Sequence, residues 1–481
     1  MRLALRWLAF LIPAIVLLVY LRRTDRLPSS LSAASTPVVA IQDEEGSISH
    51  KTISLFWQRW SQLMYENRPE GNKIKISGNA GTVPPKDANG FRQPYNDLVK
   101  NTATEIEEMR RSHQRFLKEL DASLDAIDHG IFKGRGVVMV GGGEYFGPAI
   151  IGIQMLRRTG STLPVEVFVP NDSEYEKEIC EEYLPKLNAK CVVLSHFQPD
   201  NSQRAGDVVI KHYQLKAPTL LLSSFAEVLL LDSDSIPLVD PDTTIFEAEP
   251  YRSNGLITWP DFWAATESPK FWDIAGLSGF PEDLPPTSSE SGQLVINKKQ
   301  HLSTLLLATY YNLFGLDFYY PLLSQGALGQ GDKETFMAAA VALGTPYYRV
   351  KAPAVALGRH DGGKQKGTAI VQHLPLDDYA SRQGGSDKIR PAFLHANTPK
   401  MNAGHLVDEG DLVSVDGKSR LRLLGPKDEA ERLFGYDVED TLWDLLVQTG
   451  CELASSLHEW KQRARLCERL TEHHKLVFEN R

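Results

Sequence analysis

The residues best suited to chemistry are two aspartates that follow an apolar run. Residues 227–231 (EVLLL) predict a buried strand, and Asp232 and Asp234 come directly after it, on either side of Ser233. Carboxylates two positions apart at the end of a strand can turn toward one hard cation, which accepts oxygen ligands and can bridge phosphates. A solvated turn is the alternative. Because residues 236–238 are apolar again, the pattern favours a buried metal–diphosphate site.

Polar side chains lie inside apolar sequence at two later positions. Residues 255–263 (GLITWPDFW) place Asp261 among aromatic rings, which suits stacking on a sugar face, although a rigid corner of the core would have the same composition. Residues 290–298 (ESGQLVINK) begin a predicted strand with Glu290 and Gln293. Both segments are candidates to contact a sugar.

An acid, a histidine and a lysine complete the candidate set. A glycine-rich loop (residues 325–336, QGALGQGDKETF) leads into a helix with Asp332 near its start, where it can cap the helix or accept hydrogen bonds from sugar hydroxyls. His395 ends a predicted strand in FLHANTPK, and Lys400 follows five positions later. A lone histidine is more often structural. Together with the upstream acidic pair, however, His395 is a candidate third metal ligand and Lys400 a phosphate-binding cation.

Alternating strands and helices would position these groups. Apolar runs predict strands at residues 137–140, 165–169 and 191–194, and helices between and after them. Such alternation predicts an α/β fold with a mostly parallel, Rossmann-like sheet that binds ligands at the carboxyl ends of its strands. The first strand ends in a triple glycine, which is either a tight turn or a place where backbone N–H groups approach a nucleotide. The residues concerned are Gly141, Gly142 and Gly143, and the lack of the full GxGxxG spacing argues against a dinucleotide enzyme.

The N-terminus predicts a membrane topology. Residues 7–21 (WLAFLIPAIVLLVYL) carry no charge and have arginines on both sides, which predicts an uncleaved transmembrane signal anchor. A cleaved signal peptide is the alternative. Residues 1–6 would then form a cytosolic tail. Residues 22–96 are rich in Ser, Pro, Gly and Lys and predict a stem, interrupted by an aromatic patch at residues 55–65 that could dock on the luminal body.

The remaining chain divides into a catalytic domain at residues 97–427 and a charged helical flank at residues 428–481. The domain opens with an amphipathic helix at residues 97–130, which would pack on the domain or pair two chains as a short coiled coil. With 481 residues and 42% hydrophobic composition, the chain can bury a substantial core. Its formal net charge of −9 argues against a nucleic-acid-binding protein.

The four cysteines suit an oxidising secretory compartment, and no spacing resembles a zinc site. Of the three possible pairings, the two local ones are favoured, namely Cys180 with Cys191 and Cys451 with Cys467. Asn171 begins the only N-x-S/T glycosylation sequon, in a turn after a predicted strand.

Several long blocks between residues 137 and 401 resemble the fungal Golgi mannosyltransferases that extend N-glycan outer chains and cell-wall mannan. These blocks are RRTGSTLPVEVFVP (157–170), LLSSFAEVLLLDSDSIPL (221–238), GLITWPDFW, ESGQLVINK and QGALGQGDKETF. The last two are most similar to the α-1,2-transferases that start branches, rather than to the terminal α-1,3-transferases. The resemblance therefore favours an α-1,2-mannosyltransferase and leaves an α-1,3-transferase as the alternative.

The resemblance implies a single-pass type II Golgi membrane protein with a luminal catalytic domain of the GT-A type. GDP-mannose would be the donor, Mn²⁺ the cofactor, and the α-1,6-mannose backbone of mannan or of an N-glycan the acceptor. A homodimer or a complex of Golgi glycosyltransferases would be the protein partner. By the same resemblance, Asp232, Asp234 and His395 would hold the metal and Lys400 the diphosphate. The implied donor-sugar contacts are Glu290, Gln293 and Asp332.

Transfer from an α-donor to an α-product implies retention of configuration. Retention requires either a carboxylate nucleophile, for which Glu290, Asp261 and Asp332 are candidates, or same-face attack assisted by the leaving phosphate. Same-face attack is favoured. Two other function classes stay open: a non-catalytic sugar-nucleotide-binding subunit and a nucleotidyltransferase. The second would need a basic residue in the loop GGGEYFG, which has none.

Overall fold

The computed structural model describes most of the chain beyond its N-terminal region. The described residues are 44–81, 95–124, 129–197, 210, 212–281, 283–408 and 410–479. The predicted tail and anchor, residues 1–6 and 7–21, lie outside them. Within the described ranges, the helices are too short or too polar to cross a bilayer.

Strands form two sheets that meet beside the acidic pair. In chain order they are β1 (Arg135–Val140), β2 (Val165–Val169), β3 (Ala189–Val193), β4 (Glu227–Leu231), β5 (Ser235–Pro237), β6 (Leu256–Ala264), β7 (Thr287–Asn297), β8 (Tyr348–Arg349), β9 (Val355–Asp361), β10 (Lys364–His373) and β11 (Pro391–His395). The larger sheet has the order β3-β2-β1-β4-β7-β6-β8, and the smaller has the order β5-β11-β10-β9. In the larger sheet β3, β2, β1 and β4 are parallel, whereas β7 runs antiparallel to β4 and β6. The predicted α/β class with a mostly parallel main sheet is confirmed.

Helices cover both faces of the larger sheet. They are α1 (Glu44–Glu66), α2 (Ala103–Leu124), α3 (Phe146–Arg158), α4 (Lys216–Leu222), α5 (Tyr251–Asn254), α6 (Pro269–Ile274), α7 (Lys298–Leu313), α8 (Tyr320–Ser324), α9 (Thr335–Leu343), α10 (Pro375–Arg382), α11 (Ala403–Leu406), α12 (Lys427–Phe434), α13 (Val438–Leu453) and α14 (Leu466–His474). Short 3₁₀ turns follow the ends of β1 and β2, at Gly143–Tyr145 and Asp172–Glu174, and another, Asp332–Glu334, leads into α9.

The alternation of strand residues divides the interior into two cores. Val137 and Met139 of β1 face one core together with Trp443 of α13, whereas Val138 faces the other together with Trp60 of α1. Successive side chains of a strand point to opposite faces, so an entirely apolar strand must be covered on both sides. This double burial explains why the parallel strands read as continuous apolar runs.

Part of the predicted stem belongs to the folded body. Within residues 22–96, helix α1 buries Trp57, Trp60 and Met64 against the second core. The segment after it pairs through Ile76 with Val99. The aromatic patch therefore docks on the body because large rings gain most from burial. The predicted helix at 97–130 is observed as α2, whose apolar face packs within the same chain. The domain boundaries themselves stay predictions.

Both disulfides join the locally spaced cysteines. Cys180 bonds to Cys191, closing a turn that ends in β3, and Cys451 bonds to Cys467, linking α13 to α14. The helices of the 428–481 segment pack on the sheet through α3, because Thr449 donates a hydrogen bond of 3.0 Å to Gln154. The C-terminal segment is thus part of the first core.

Candidate active site

The acidic pair lies in the turn that passes from the large sheet to the small one. The amide of Asp232 donates to the carbonyl of Gly292 in β7 at 2.8 Å, which extends the β4–β7 pairing by one residue. The amide of Ala396, which follows β11, donates to the carbonyl of Asp234 at 2.9 Å. Each aspartate is therefore fixed by a different strand. The two carboxylates are held at the junction of the sheets.

Asp234, His395 and Lys400 form one buried charged group. Nε2 of His395 lies 3.1 Å from Oδ1 of Asp234, and Nζ of Lys400 contacts Oδ2 of the same carboxylate. Burial by itself would raise the pKa of Asp234, but the charges of His395 and Lys400 hold that pKa well below its usual range. Asp234 is therefore an ionised carboxylate surrounded by cations.

Glu290 orients the histidine from the opposite side. Nδ1 of His395 lies 3.0 Å from Oε1 of Glu290, which also accepts a hydrogen bond of 2.6 Å from the amide of Gly292. The other oxygen accepts a 2.6 Å hydrogen bond from Nε2 of Gln293. Burial lowers the pKa of His395, but the charges of Asp234 and Glu290 raise it well above its usual range. Without a bound metal these charges favour the protonated ring, whose position is fixed at both nitrogens; a metal on Nε2 would take the place of that proton.

Gly292 is required between these groups. A Cβ at this position would lie 2.5 Å from Nδ1 of His395 and 2.8 Å from Oε1 of Glu290, closer than real side-chain atoms approach. The ESGQ block therefore supplies two functional side chains and the space in which a third one sits.

Lys216 is a site residue that the sequence reasoning missed. Its Nζ donates a hydrogen bond of 2.8 Å to Oδ2 of Asp232 and bonds of 3.1 Å to both the carbonyl and the hydroxyl of Ser291. Burial would lower the pKa of Lys216, but Asp232 and Asp332 raise it above its usual range. Lys216 precedes the apolar run APTLLL of α4. A lysine directly before an apolar run was the sequence feature that could have indicated a buried, functional Lys216.

Asp332 belongs to the site because it lies near Lys216. Its Oδ2 lies 3.7 Å from Nζ of Lys216, and within the described residues this buried oxygen has no hydrogen-bond partner. Burial raises the pKa of Asp332 to about 6, which Lys216 opposes and the charge of Asp232 reinforces. The side chain makes no capping hydrogen bond to the turn or helix that follows. The carboxylate lies near Lys216, the partner of Asp232, which favours a role in the site over helix capping.

Asp261 makes a separate ion pair. Its Oδ2 accepts from Nζ of Lys333 at 2.9 Å, and both side chains are almost fully buried. Within the GLITWPDFW block the aromatic residues divide. Trp259 is buried and donates to the carbonyl of His373 at 2.9 Å, whereas Phe262 is 41% exposed. Trp259 is thus a core residue, and Phe262 is the ring that a ligand could reach.

The triple glycine forms a turn directly after β1. Gly142 and Gly143 have φ values of 99° and 48°, a backbone region that favours glycine. A Cβ at Gly141 would lie 2.5 Å from a methyl group of Val167.

Asn171, in the turn that follows β2, is exposed, and its side chain accepts a 2.9 Å hydrogen bond from the amide of Ser173. Its glycosylation stays a prediction.

The residues present fit a divalent cation. One ligand atom each from Asp232, Asp234 and His395 lies within 4.8 Å of the others. Two carboxylates and an imidazole are ligands that divalent metal ions accept. His395, Lys400 and Lys216 lie against the two aspartates. The negative charge of the buried carboxylates is thus balanced by positive side chains in a place where a metal ion could bind. The second Asp/Asp/His group of the described residues, on α13 and α14, includes the exposed side chain of Asp444.

Comparisons with known proteins match this chain to one family of glycosyltransferases. The family described as "Mannosyltransferase putative" matches residues 134–283 and 277–375. The α-1,2-mannosyltransferase MNN21 of Candida albicans is 35% identical over 80% of this chain and 67% of its own length. In Saccharomyces cerevisiae, the α-1,2-mannosyltransferases MNN2 and MNN5 are each 34% identical over 75% of this chain, with 67% and 71% of their own lengths covered. The chain thus spans about two thirds of the length of these relatives.

Solved structures overlap the chain only in part. The glycosyltransferase GlyE of Streptococcus pneumoniae is 18% identical, with a TM-score of 0.26, over 46% of this chain and 45% of its own. The galactosyltransferase LgtC, solved with donor and acceptor sugar analogues, is 11% identical, with a TM-score of 0.28, over 45% of this chain and 73% of its own. This partial overlap carries no argument about the site.

Proposed function

The chain belongs to this mannosyltransferase family, and we propose that it transfers mannose from GDP-mannose to the α-1,6-mannose backbone of mannan or of an N-glycan. It is a glycosyltransferase of the α-1,2-mannosyltransferase type, as its relatives across most of the chain are named. The observation that carries the residue-level proposal is the convergence of Asp232, Asp234 and His395 beside Lys400. An α-1,3 linkage is the alternative within the same family.

The proposed chemistry follows from charge. Cleavage of the anomeric bond of GDP-mannose leaves a diphosphate, whose growing negative charge must meet positive charge already in place. Mn²⁺ held by Asp232, Asp234 and His395 supplies Lewis acidity when bound. Lys400, now in contact with Asp234, is placed to turn to a diphosphate oxygen. Lys216 holds Asp232 in position.

The carboxylates differ in their freedom to act on the sugar. Glu290 is engaged by His395, Gly292 and Gln293, and Asp261 is engaged by Lys333. Both carboxylate oxygens of Glu290 and of Asp261 therefore accept hydrogen bonds from other groups of the chain. Asp332 alone among the three nucleophile candidates keeps a buried oxygen without a hydrogen bond in the described residues. We therefore propose same-face attack assisted by the leaving phosphate, with Asp332 accepting a hydrogen bond from a sugar hydroxyl.

The finer assignments rest on independent features. The GT-A type is supported by the acidic pair at the carboxyl edge of a mixed α/β sheet. A luminal Golgi location as a type II membrane protein is supported by the apolar run at residues 7–21 and by two disulfides, which form in oxidising compartments. The triple glycine and the GDP part of the donor would meet at the end of β1.

The test is a transfer assay on the full-length chain. GDP-mannose, Mn²⁺ and a short α-1,6-mannose oligomer are incubated with the wild type and with the Asp234→Ala variant, and any product is subjected to linkage analysis. We expect an α-1,2-linked product that is lost in the variant and with a chelator. An α-1,3 product would overturn the linkage. GDP-mannose binding without transfer to any α-mannoside would favour a non-catalytic subunit, and absence of GDP-mannose binding would overturn the donor.

A further inference from the structure

Tyr213 is an exposed aromatic residue that the mechanism above does not use. The residue is 57% exposed and belongs to the short 3₁₀ turn His212–Leu215, which leads directly into α4. Side chains three positions apart along such a segment lie on the same side of it, so Tyr213 lies on the side of Lys216. The ammonium group of Lys216 binds Asp232. An exposed ring therefore lies at the entrance of the candidate active site.

The ring packs on the loop that carries Asp332. A Cβ added to Gly331 would lie 3.2 Å from two ring atoms of Tyr213, and Gly331 immediately precedes Asp332. The glycine thus lets the ring lie against the backbone of the loop. Asp332 keeps a buried oxygen that has no hydrogen-bond partner in the part of the chain that the structure describes. Apolar surface and a free hydrogen-bond acceptor, the two features that bind a sugar ring, therefore lie close together.

Tyr213 borders the part of the site that lies opposite Lys400. In the large sheet β4 lies between β1 and β7. Lys400 is directed toward β1, because its Nζ lies 5.8 Å from the ring centre of Tyr145 in the turn after that strand. Lys216 is directed toward β7, because its Nζ donates hydrogen bonds to Ser291 of that strand. A diphosphate at Lys400 would therefore leave the surface beside Tyr213 open to a second substrate.

We propose that Tyr213 binds the acceptor by stacking on one of its mannose units. A pyranose ring has a face of C–H bonds that gains from contact with an aromatic ring, and the hydroxyl of a tyrosine can stay in water at the edge of that contact. The acceptor is a neutral sugar and suits an uncharged ring, whereas the charged diphosphate requires cations such as Lys400. The inference rests on the proposed function, because it names the residue that holds the proposed acceptor.

The experiment measures initial rates of mannose transfer by four forms of the full-length chain. They are the wild type, Tyr213→Ala, Tyr213→Phe and the control Tyr436→Ala, which removes a 39% exposed ring between α12 and α13. GDP-mannose and an α-1,6-mannose oligomer are varied in turn, with Mn²⁺ in excess. We expect Tyr213→Ala to raise the KM for the oligomer about tenfold and the KM for GDP-mannose by less than about twofold, because only the stacking surface is lost. Tyr213→Phe keeps the ring and should retain most of the affinity for the oligomer, and Tyr436→Ala should match the wild type.

Three results would overturn the role of Tyr213 while the wild type still transfers mannose. The first is an unchanged KM for the oligomer in Tyr213→Ala. The second is a raised KM for GDP-mannose alone, which would place the ring on the donor. The third is a fall in kcat and in melting temperature at constant KM, which would assign the ring to the fold. A wild type that transfers mannose to no α-mannoside would overturn the proposed function, and the acceptor role with it.

Discussion

Two buried charge networks of this molecule have opposite designs. In the C-terminal part, Glu439 accepts hydrogen bonds from the amides of Leu423 and Leu424, at 2.5 and 2.9 Å. Arg422 reaches Asp437 with two nitrogens. At the sheet junction, four carboxylates face only three cations, and within the described residues one oxygen of Asp332 has no hydrogen-bond partner. The carboxylates are Asp232, Asp234, Glu290 and Asp332, and the cations are Lys216, His395 and Lys400.

The difference separates a network that serves the fold from one that serves a ligand. A buried polar group without a partner costs stability, so the free oxygen of Asp332 beside the acidic pair would gain from a ligand that donates a hydrogen bond to it. In the C-terminal network each carboxylate is matched by donors of the chain itself. In the junction network, within the described residues, one oxygen of Asp332 lacks such a donor, as a sugar hydroxyl would require. Exchanging single residues in each network tests this distinction.

The largest expected effect is at Asp234. Replacement by Asn keeps the shape and removes the charge that a cation requires, so kcat should fall about 1000-fold, far more than the loss of stability from unpairing His395 and Lys400 would explain. Steady-state mannose transfer and thermal unfolding are measured together. Asp437→Asn, in the C-terminal network, is the matched control and should lower stability without selective loss of kcat. If both variants lost activity only in proportion to their loss of stability, the distinction between a ligand-binding and a purely structural network would be wrong.

Glu290→Gln should act on the metal rather than on the fold. Gln cannot fix the imidazole as the carboxylate does, and the loss of such an orienting partner weakens metal affinity by about 10- to 100-fold. Initial rates measured against Mn²⁺ concentration should show half-saturation shifted upward by that factor. The maximal rate at saturating Mn²⁺ should change less. An unchanged half-saturation point would mean that His395 does not bind the metal.

The C-terminal network should reveal itself in the pH dependence of stability. Burial raises the pKa of Glu439 to about 7. Because the folded state holds this proton more tightly than the unfolded state, its contribution to the free energy of unfolding is complete below about pH 4.5 and is lost as the pH rises to about 7. The loss is on the order of 2 kcal/mol. Denaturant unfolding of wild type and Glu439→Gln at pH 5 and pH 8 should show it only in the wild type. Equal pH slopes would contradict the raised pKa.

The smallest effect is expected at Asp332. Asn at this position removes a buried charge that has only a distant cation, so the free energy of unfolding at neutral pH should rise by about 1 kcal/mol. Transfer should fall about tenfold, because a hydrogen bond to the sugar is weakened. Measuring the free energy of unfolding and kcat for the same variant checks that stability rises while activity falls. A variant that is less stable and equally active would place Asp332 in the structural class.

Much of the site could be predicted because strand ends are local features. Asp232 and Asp234 follow an apolar run that must be a buried strand of the large sheet, and His395 ends another such run. The ligand-binding carboxyl edge of a parallel sheet pointed to the aspartates, whereas His395 meets them because β11 pairs antiparallel with β5. Lys400 follows from its spacing after His395. The short cysteine spacings also favoured the pairs that the structure contains. In each case neighbouring residues carry the information.

Other features depended on pairing between distant segments. Lys216 lies beside Ser291 because β4 pairs with β7, and no pattern near either residue specifies that register. The ion pair of Asp261 with Lys333 joins residues 72 positions apart. Trp60 of α1 lies in the segment that the sequence predicted to be a stem. It is buried only because the second core provides a surface against which it packs. Partners so far apart are set by the summed packing of the whole fold.

The sequence by itself determined which polar residues lie at the ends of strands, and therefore which groups were candidates to meet in a site. Only the tertiary structure decided how their charges are shared: Asp332 with Lys216, Asp261 with Lys333, Glu290 with His395. The reason is physical. Apolar runs and their polar ends are encoded residue by residue, whereas the partner of a buried charge is chosen by the register between strands, and a shift of one residue would face every side chain the other way.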